Sequence, residues 1–242
     1  MNEEMSQTSF ETPKIAAMSE PHLACVLLLD TSGSMSGAPI DSLNKAINDF
    51  KTKTSMDELA QKRVDIAIIQ FDDEATVVQD FTPISQMTPV NLTAGGCTNM
   101  SAGINLAIDK VKERNRFYAE MGTPCFKPWI FMITDGAPYI GDSKQAQLDA
   151  EMAAVAQRIK EEESKGTHGK LKFFALGVPG YDVDTLKSLT NRVMELENTD
   201  FSGIFNWMSE SMVAISVSRV GENVQLGNLP DNARVVPNDW GN

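Results

Sequence analysis

A chain of 242 residues with 42% hydrophobic content is long enough to bury a full core, as one large α/β domain or as two small ones. Its formal net charge of −12, from 33 acidic against 21 basic residues, comes without a basic stripe, which excludes the electrostatic footprint of a nucleic-acid binder and disfavours acidic membrane surfaces. No run approaches the length that crosses a bilayer, and Cys25, Cys97 and Cys125 lie in settings too unlike for a disulfide framework or a zinc site. The first 20 residues, MNEEMSQTSFETPKIAAMSE, are polar and unpatterned and lack the basic start and apolar core of a signal peptide, so the chain reads as a cytoplasmic protein with an N-terminal tail. LACVLLL then runs into Asp30 as the first strand, and Ile40, Leu43, Ile47 and Phe50 share one face of a following helix. VDIAIIQF at 64–71 and ATVVQDF at 75–81 flank the turn FDDEA, which makes the second of them an antiparallel edge strand. Met100, Ile104, Ile108 and Val111 stripe a second long helix, WIFMIT at 129–134 is a strand, and Leu148, Met152, Val155 and Ile159 stripe a third helix. LKFFALGV at 171–178 and RVMELEN at 192–198 complete the strands, and Phe201, Ile204, Phe205, Met208, Met212 and Ile215 outline a last helix.

Strands apolar at nearly every position are buried on both faces, which parallel sheets covered by helices achieve routinely. The fold expected is therefore α/β, Rossmann-like and doubly wound: a mostly parallel six-stranded sheet with one antiparallel edge strand and helices on both faces. The domain should span residues 21–220, with residues 221–242, rich in Asn, Pro and Gly, as a C-terminal tail.

In such sheets ligands bind at the carboxyl ends of the strands, where strand order reverses. There this sequence places Asp30, Ser32 and Ser34 after the first strand, Asp135 after the fourth, and Thr98 at the mouth of the second long helix. Singly, each has a local explanation: Thr98 as a helix cap, Asp135-Gly136 as a strand-ending turn, the serines as turn residues. Jointly they put two carboxylates and three hydroxyls in one crevice, a hard-oxygen set suited to Mg²⁺, Mn²⁺ or Ca²⁺, with Mg²⁺ favoured. So few protein ligands leave positions open, where a partner's Asp or Glu can enter. Gly33, Gly95 and Gly96 let the backbone bend close, and Pro39 suits the first turn of the helix that follows.

DTSGS at 30–34, the threonine of GGCT at 98 and TDG at 134–136 resemble, in order and spacing, the metal-ion-dependent adhesion site of von Willebrand factor A domains. The resemblance implies that Ser32 and Ser34 bind the ion directly, that Asp30 and Asp135 bind it directly or through water, and that Thr98 does either according to conformational state. It also implies the strand order 3-2-1-4-5-6. LLLDTSGSMSGAPIDSLN and ITDGAPYIGD are further similar to the TerY-type bacterial proteins associated with tellurium resistance and chemical-stress or phage-defence gene clusters.

Three functions compete. The first is a non-catalytic module whose bound cation bridges to a partner protein's carboxylate; an acidic partner is then repelled at long range and captured only at the metal. The second is an adaptor subunit for a chaperone-like ATPase, which uses the same site. The third is a metal-assisted hydrolase, disfavoured because His22 and His168 lie away from the ligands, Met35 occupies the serine position of a G-x-S-x-G-like GSMSG, and no phosphate-cradling loop appears. No nucleic acid, membrane or small-molecule substrate is expected. Specificity is expected in the loops Pro138 to Ser143 and Ala38 to Asp41.

Overall fold

A computed structural model of the protein describes residues 15–165 and 171–237. Strand β1 (Leu23–Asp30) leads to α1 (Ala38–Thr54), the single turn α2 (Ala60–Arg63), β2 (Val64–Phe71) and β3 (Ala75–Pro83). Then follow α3 (Met100–Glu120), β4 (Trp129–Thr134), α4 (Gln145–Ser164), β5 (Lys172–Gly177), α5 (Val183–Leu189), β6 (Val193–Leu196), α6 (Ser202–Ser216) and β7 (Ala233–Val235).

The sheet order is β3-β2-β1-β4-β5-β6-β7. β2, β1, β4, β5 and β6 run parallel, while β3 and β7 close the two edges antiparallel. Strict alternation along β1 divides the core. Leu23, Cys25, Leu27 and Leu29 face α1 and α6, and Ala24, Val26 and Leu28 face α3, α4 and α5. A strand used on both faces has no polar side, which is why β1 reads as an unbroken apolar run.

Two expectations need correction. The described sheet has seven strands, not six, and the stretch expected as a C-terminal tail supplies the seventh. Arg234 and Ala233 pair with Glu195 and Leu196 of β6, Val236 is buried, and Trp207 Nε1 donates to Gly227 O at 2.9 Å. A three-residue strand amid Asn, Asp and Pro carries no periodicity of its own; only the open edge of β6 recruits it. The N-terminal stretch is also partly fastened down. Ile15 packs on the core, and Arg63 holds Glu20 (2.5 Å) together with the Ser216 carbonyl at the end of α6. Residues 1–14 and His168 lie outside the described residues.

Strand order reverses between β2 and β4, on either side of β1. The crevice that this reversal opens at the carboxyl ends of the strands is where the candidate residues lie.

Candidate metal centre

β1 delivers Asp30 to the carboxyl edge of the sheet. Its register with β4 pairs Leu29 with Ile133, which sets Asp30 beside Thr134, and the Thr134 hydroxyl donates to Asp30 Oδ2 at 2.5 Å. The Ser32 N–H turns back onto Asp30 Oδ1 at 2.8 Å, closing a turn of the kind Asp favours. A 3₁₀ turn at Gly33–Met35 follows, burying Met35 and leaving Ser34 facing outward. The loop is tied to its neighbour by Gly33 N donating to Gly96 O (3.1 Å) and Gly95 N to Thr31 O (2.8 Å).

The hydroxyls then link the two carboxylates. Ser32 Oγ lies 3.1 Å from Ser34 Oγ, and Ser34 donates to Asp135 Oδ1 at 2.7 Å. Thr98 does not cap α3; Asn99 does, its side chain accepting from Ala102 N. Thr98 is held instead by a two-way backbone bridge to Tyr139, with N···O distances of 2.8 and 3.0 Å. It is only 7% exposed, and its hydroxyl has no hydrogen-bond partner among the described residues. A Cβ added at Gly136 would lie 3.9 Å from Thr98 Oγ1 and 4.0 Å from Ser34 Oγ, so both hydroxyls front one point beside β4. All five predicted residues, Asp30, Ser32, Ser34, Thr98 and Asp135, are thus brought to one crevice.

The electrostatics are those of a site short of positive charge. Burial, with a smaller contribution from the Asp135 charge, pushes the Asp30 carboxyl up to about 6 despite hydrogen bonds from Ser32 and Thr134. Burial likewise raises Asp135, against the Ser34 hydrogen bond. Two desolvated carboxylates facing three hydroxyls, one of them unpartnered, fit a hard divalent cation. Among the described residues no cluster of three or more His, Cys, Asp or Glu is arranged to hold an ion, so this donor set is complete only with its hydroxyls counted.

Three supporting residues escaped sequence reading. Thr134 orients Asp30, Tyr139 anchors Thr98, and Gly180 (φ +112°) backs Asp135, where an added Cβ would stand 2.8 Å from the Asp135 carbonyl oxygen. The PGYD turn signal at 179–182 was the one available hint of the last. His22 is fully buried at the opposite end of β1, where it bonds Asp65 Oδ2 at 2.8 Å.

Residues 25–137 match the von Willebrand factor type A domain. The match begins inside β1 and ends just past Asp135, so it spans all five candidate ligands. No curated protein matches the sequence. Solved structures share the architecture at low identity. The pilus adhesin SpaC from Lactobacillus rhamnosus GG, in an open conformation, superposes with a TM-score of 0.61 at 13% identity, over 84% of this chain and 31% of its own. A von Willebrand factor type A protein from Catenulispora acidiphila gives 0.56 at 14% identity, over 80% and 43%. The PilB minor pilin from Streptococcus sanguinis gives 0.54 at 13%, over 81% and 62%. The chain therefore spans less than two thirds of the length of each, and at these identities the likeness is one of fold.

Proposed function

We propose that this protein is a non-catalytic interaction module that captures a partner protein through a divalent cation, Mg²⁺ in preference to Mn²⁺ or Ca²⁺, held by Asp30, Ser32, Ser34, Thr98 and Asp135. The observation that carries the reading is the continuous oxygen chain Ser32 Oγ, Ser34 Oγ, Asp135 Oδ1, at 3.1 and 2.7 Å, with the unpartnered Thr98 hydroxyl fronting the same point. A bound cation supplies Lewis acidity toward a further anionic ligand, here an Asp or Glu of the partner. This chain's residues do the rest. Asp30 and Asp135 bring two negative charges, the hydroxyls add donors without charge, and burial of both carboxylates keeps competing water scarce.

The non-catalytic part of the reading is supported by the surroundings of the serines. Ser34 donates to a carboxylate, and His22 is engaged with Asp65 and Ala17 at the far end of the sheet, so no described histidine stands ready to take a proton from Ser32 or Ser34. The setting we propose is cytoplasmic, in a TerY-like stress-response or ATPase-adaptor role. All three cysteines are free, as a reducing compartment requires. No helix among the described residues is long and apolar enough to cross a membrane.

The test is calorimetric titration of Mg²⁺, Mn²⁺ and Ca²⁺ into metal-stripped protein and into a Ser32→Ala, Ser34→Ala double variant, which keeps both carboxylates. One saturable site in the wild type, lost in a variant with an unchanged circular dichroism spectrum, is the expected result. Equal binding by the two proteins would sink the assignment.

A further inference from the structure

A groove of about 920 Å³ runs between α4 and α5, and it begins at Ala137 and Pro138, on the same loop that carries Asp135. Its walls descend from the carboxyl edge of the sheet. Asp149 lies toward the start of α4, Ala153 near its middle and Lys160 toward its end, while Asp182, Thr185 and Lys187 stand opposite on α5. From Gln145 to Lys160 the helix rises about 22 Å, the reach of about seven residues of extended chain.

Three features at the head of this groove point to what fills it. The small side chain of Ala137 lines it two residues from Asp135, and Ala153 lines it about 12 Å from Gln145 along α4. Gln145 donates to Pro138 O at 3.2 Å and to Asp149 Oδ1 at 2.9 Å, yet its own Oε1 is buried without a hydrogen-bond partner, an acceptor waiting for a donor. Asp149 and Asp182 form no ion pair among the described residues; Asp182 Oδ1 accepts only the cap bond from Thr185 N at 2.6 Å. Asp149 and Asp182 make the upper end negative and rich in acceptors, and Lys187 on α5 and Lys160 on α4 supply cations further down.

We propose that this groove is the second half of the partner-binding surface: it takes an extended segment of the same protein partner, in which basic residues directly adjoin the carboxylate that meets the ion. The inference rests on the metal-bridging reading and refines it. A purely acidic partner meets repulsion from Asp149 and Asp182 as well as from the net charge of −12. One carboxylate followed by Lys or Arg satisfies both the cation and the groove.

Peptides of about ten residues, long enough to reach from the ion down the groove, provide the probe. Each carries one terminal Asp followed by alternating Lys, Glu or Ser, and is made in both chain directions. After a Mg²⁺ titration confirms that the full chain is loaded, the peptides are titrated into wild type, Ala153→Arg and Asp149→Lys, neither of which touches a candidate ligand. The Lys peptide in one direction should bind roughly tenfold tighter than the Glu peptide, which is about 1.4 kcal/mol. Ala153→Arg should remove that advantage with Mg²⁺ binding unchanged, and Asp149→Lys should reverse it. Failure of the Mg²⁺ titration overturns the metal reading itself. A loaded protein that binds no Lys peptide, binds Lys and Glu peptides equally, or is indifferent to both substitutions overturns the groove assignment alone.

Discussion

Two buried aspartates at opposite ends of the central strands show how surroundings decide what a carboxylate does. Burial alone would push Asp65 up, but His22, Arg114 and Tyr118 all converge on its Oδ2 and hold it below the usual carboxylate range. The charge of Asp65 is thus met by groups of the fold, although its Oδ1 is buried without a hydrogen-bond partner among the described residues. Asp30 is equally buried and has hydroxyl and amide donors but no cation, so it stays raised at about 6. Because that value lies above the unfolded one, near 3.8, the folded state binds the proton more tightly. The stability Asp30 contributes is fully present below about pH 4 and is lost as pH rises through about 6. Metal-stripped Asp30→Asn should therefore melt higher than stripped wild type at pH 7.5, by at most about 3 kcal/mol, and should show no further rise with Mg²⁺. Thermal melts with EDTA and with Mg²⁺ test this; a less stable variant would mean that Asp30 is already compensated. Protons compete for the same oxygens, so Mg²⁺ affinity in the wild type should fall as pH drops below about 6.

At the scale of elements, the site is assembled from loops that could not be ranked from sequence. The carboxyl ends of β1 and β4 are adjacent because the order runs 2-1-4, so Asp30 and Asp135 are neighbours although 105 positions apart. The motifs announced both residues, and the apolar runs announced both strands. What the runs could not announce was the loop after β5. Gly180 there takes φ +112° and lies against the Asp135 carbonyl, a contact visible only once β5 is set beside β4. Gly180→Ala should cost about 1–3 kcal/mol and weaken Mg²⁺ binding by moving Asp135. The control is Gly227→Ala, where an added Cβ meets nothing within 4 Å. Calorimetry on both variants decides it; equal Mg²⁺ affinities would show that Asp135 does not depend on this backing. Thr98 gives the same lesson in reverse. Its place before a helix invited a capping role, but Asn99 takes the cap and frees the Thr98 hydroxyl for the crevice.

For the whole molecule, the informative departure is the C-terminal segment. Read from composition it is a tail; in the fold it crosses α6, brings Leu226 and Leu229 against the core, accepts the Trp207 N–H, and pairs with β6. Gly203 makes room for it, since a Cβ there would stand 2.8 Å from Pro230. Deleting residues 221–242 should bare Trp207 and the β6 edge, red-shift tryptophan emission and lower the melting midpoint by roughly 10 °C, the equivalent of losing about 3 kcal/mol of apolar burial. An unchanged midpoint would return the segment to the status of a tail.

By itself the sequence determined the alternation of strands and helices, the doubly wound class, and the identity of all five candidate ligands. Each of these is written in local signals: apolar runs buried on both faces, helical stripes, and polar residues placed where a strand must stop. The tertiary structure alone decided the seventh strand, the cap at Asn99, the backing of Asp135 and the groove beside it. Those depend on which surfaces meet, and a three-residue strand or a glycine that yields to a neighbouring carbonyl has no meaning until the neighbour is in place.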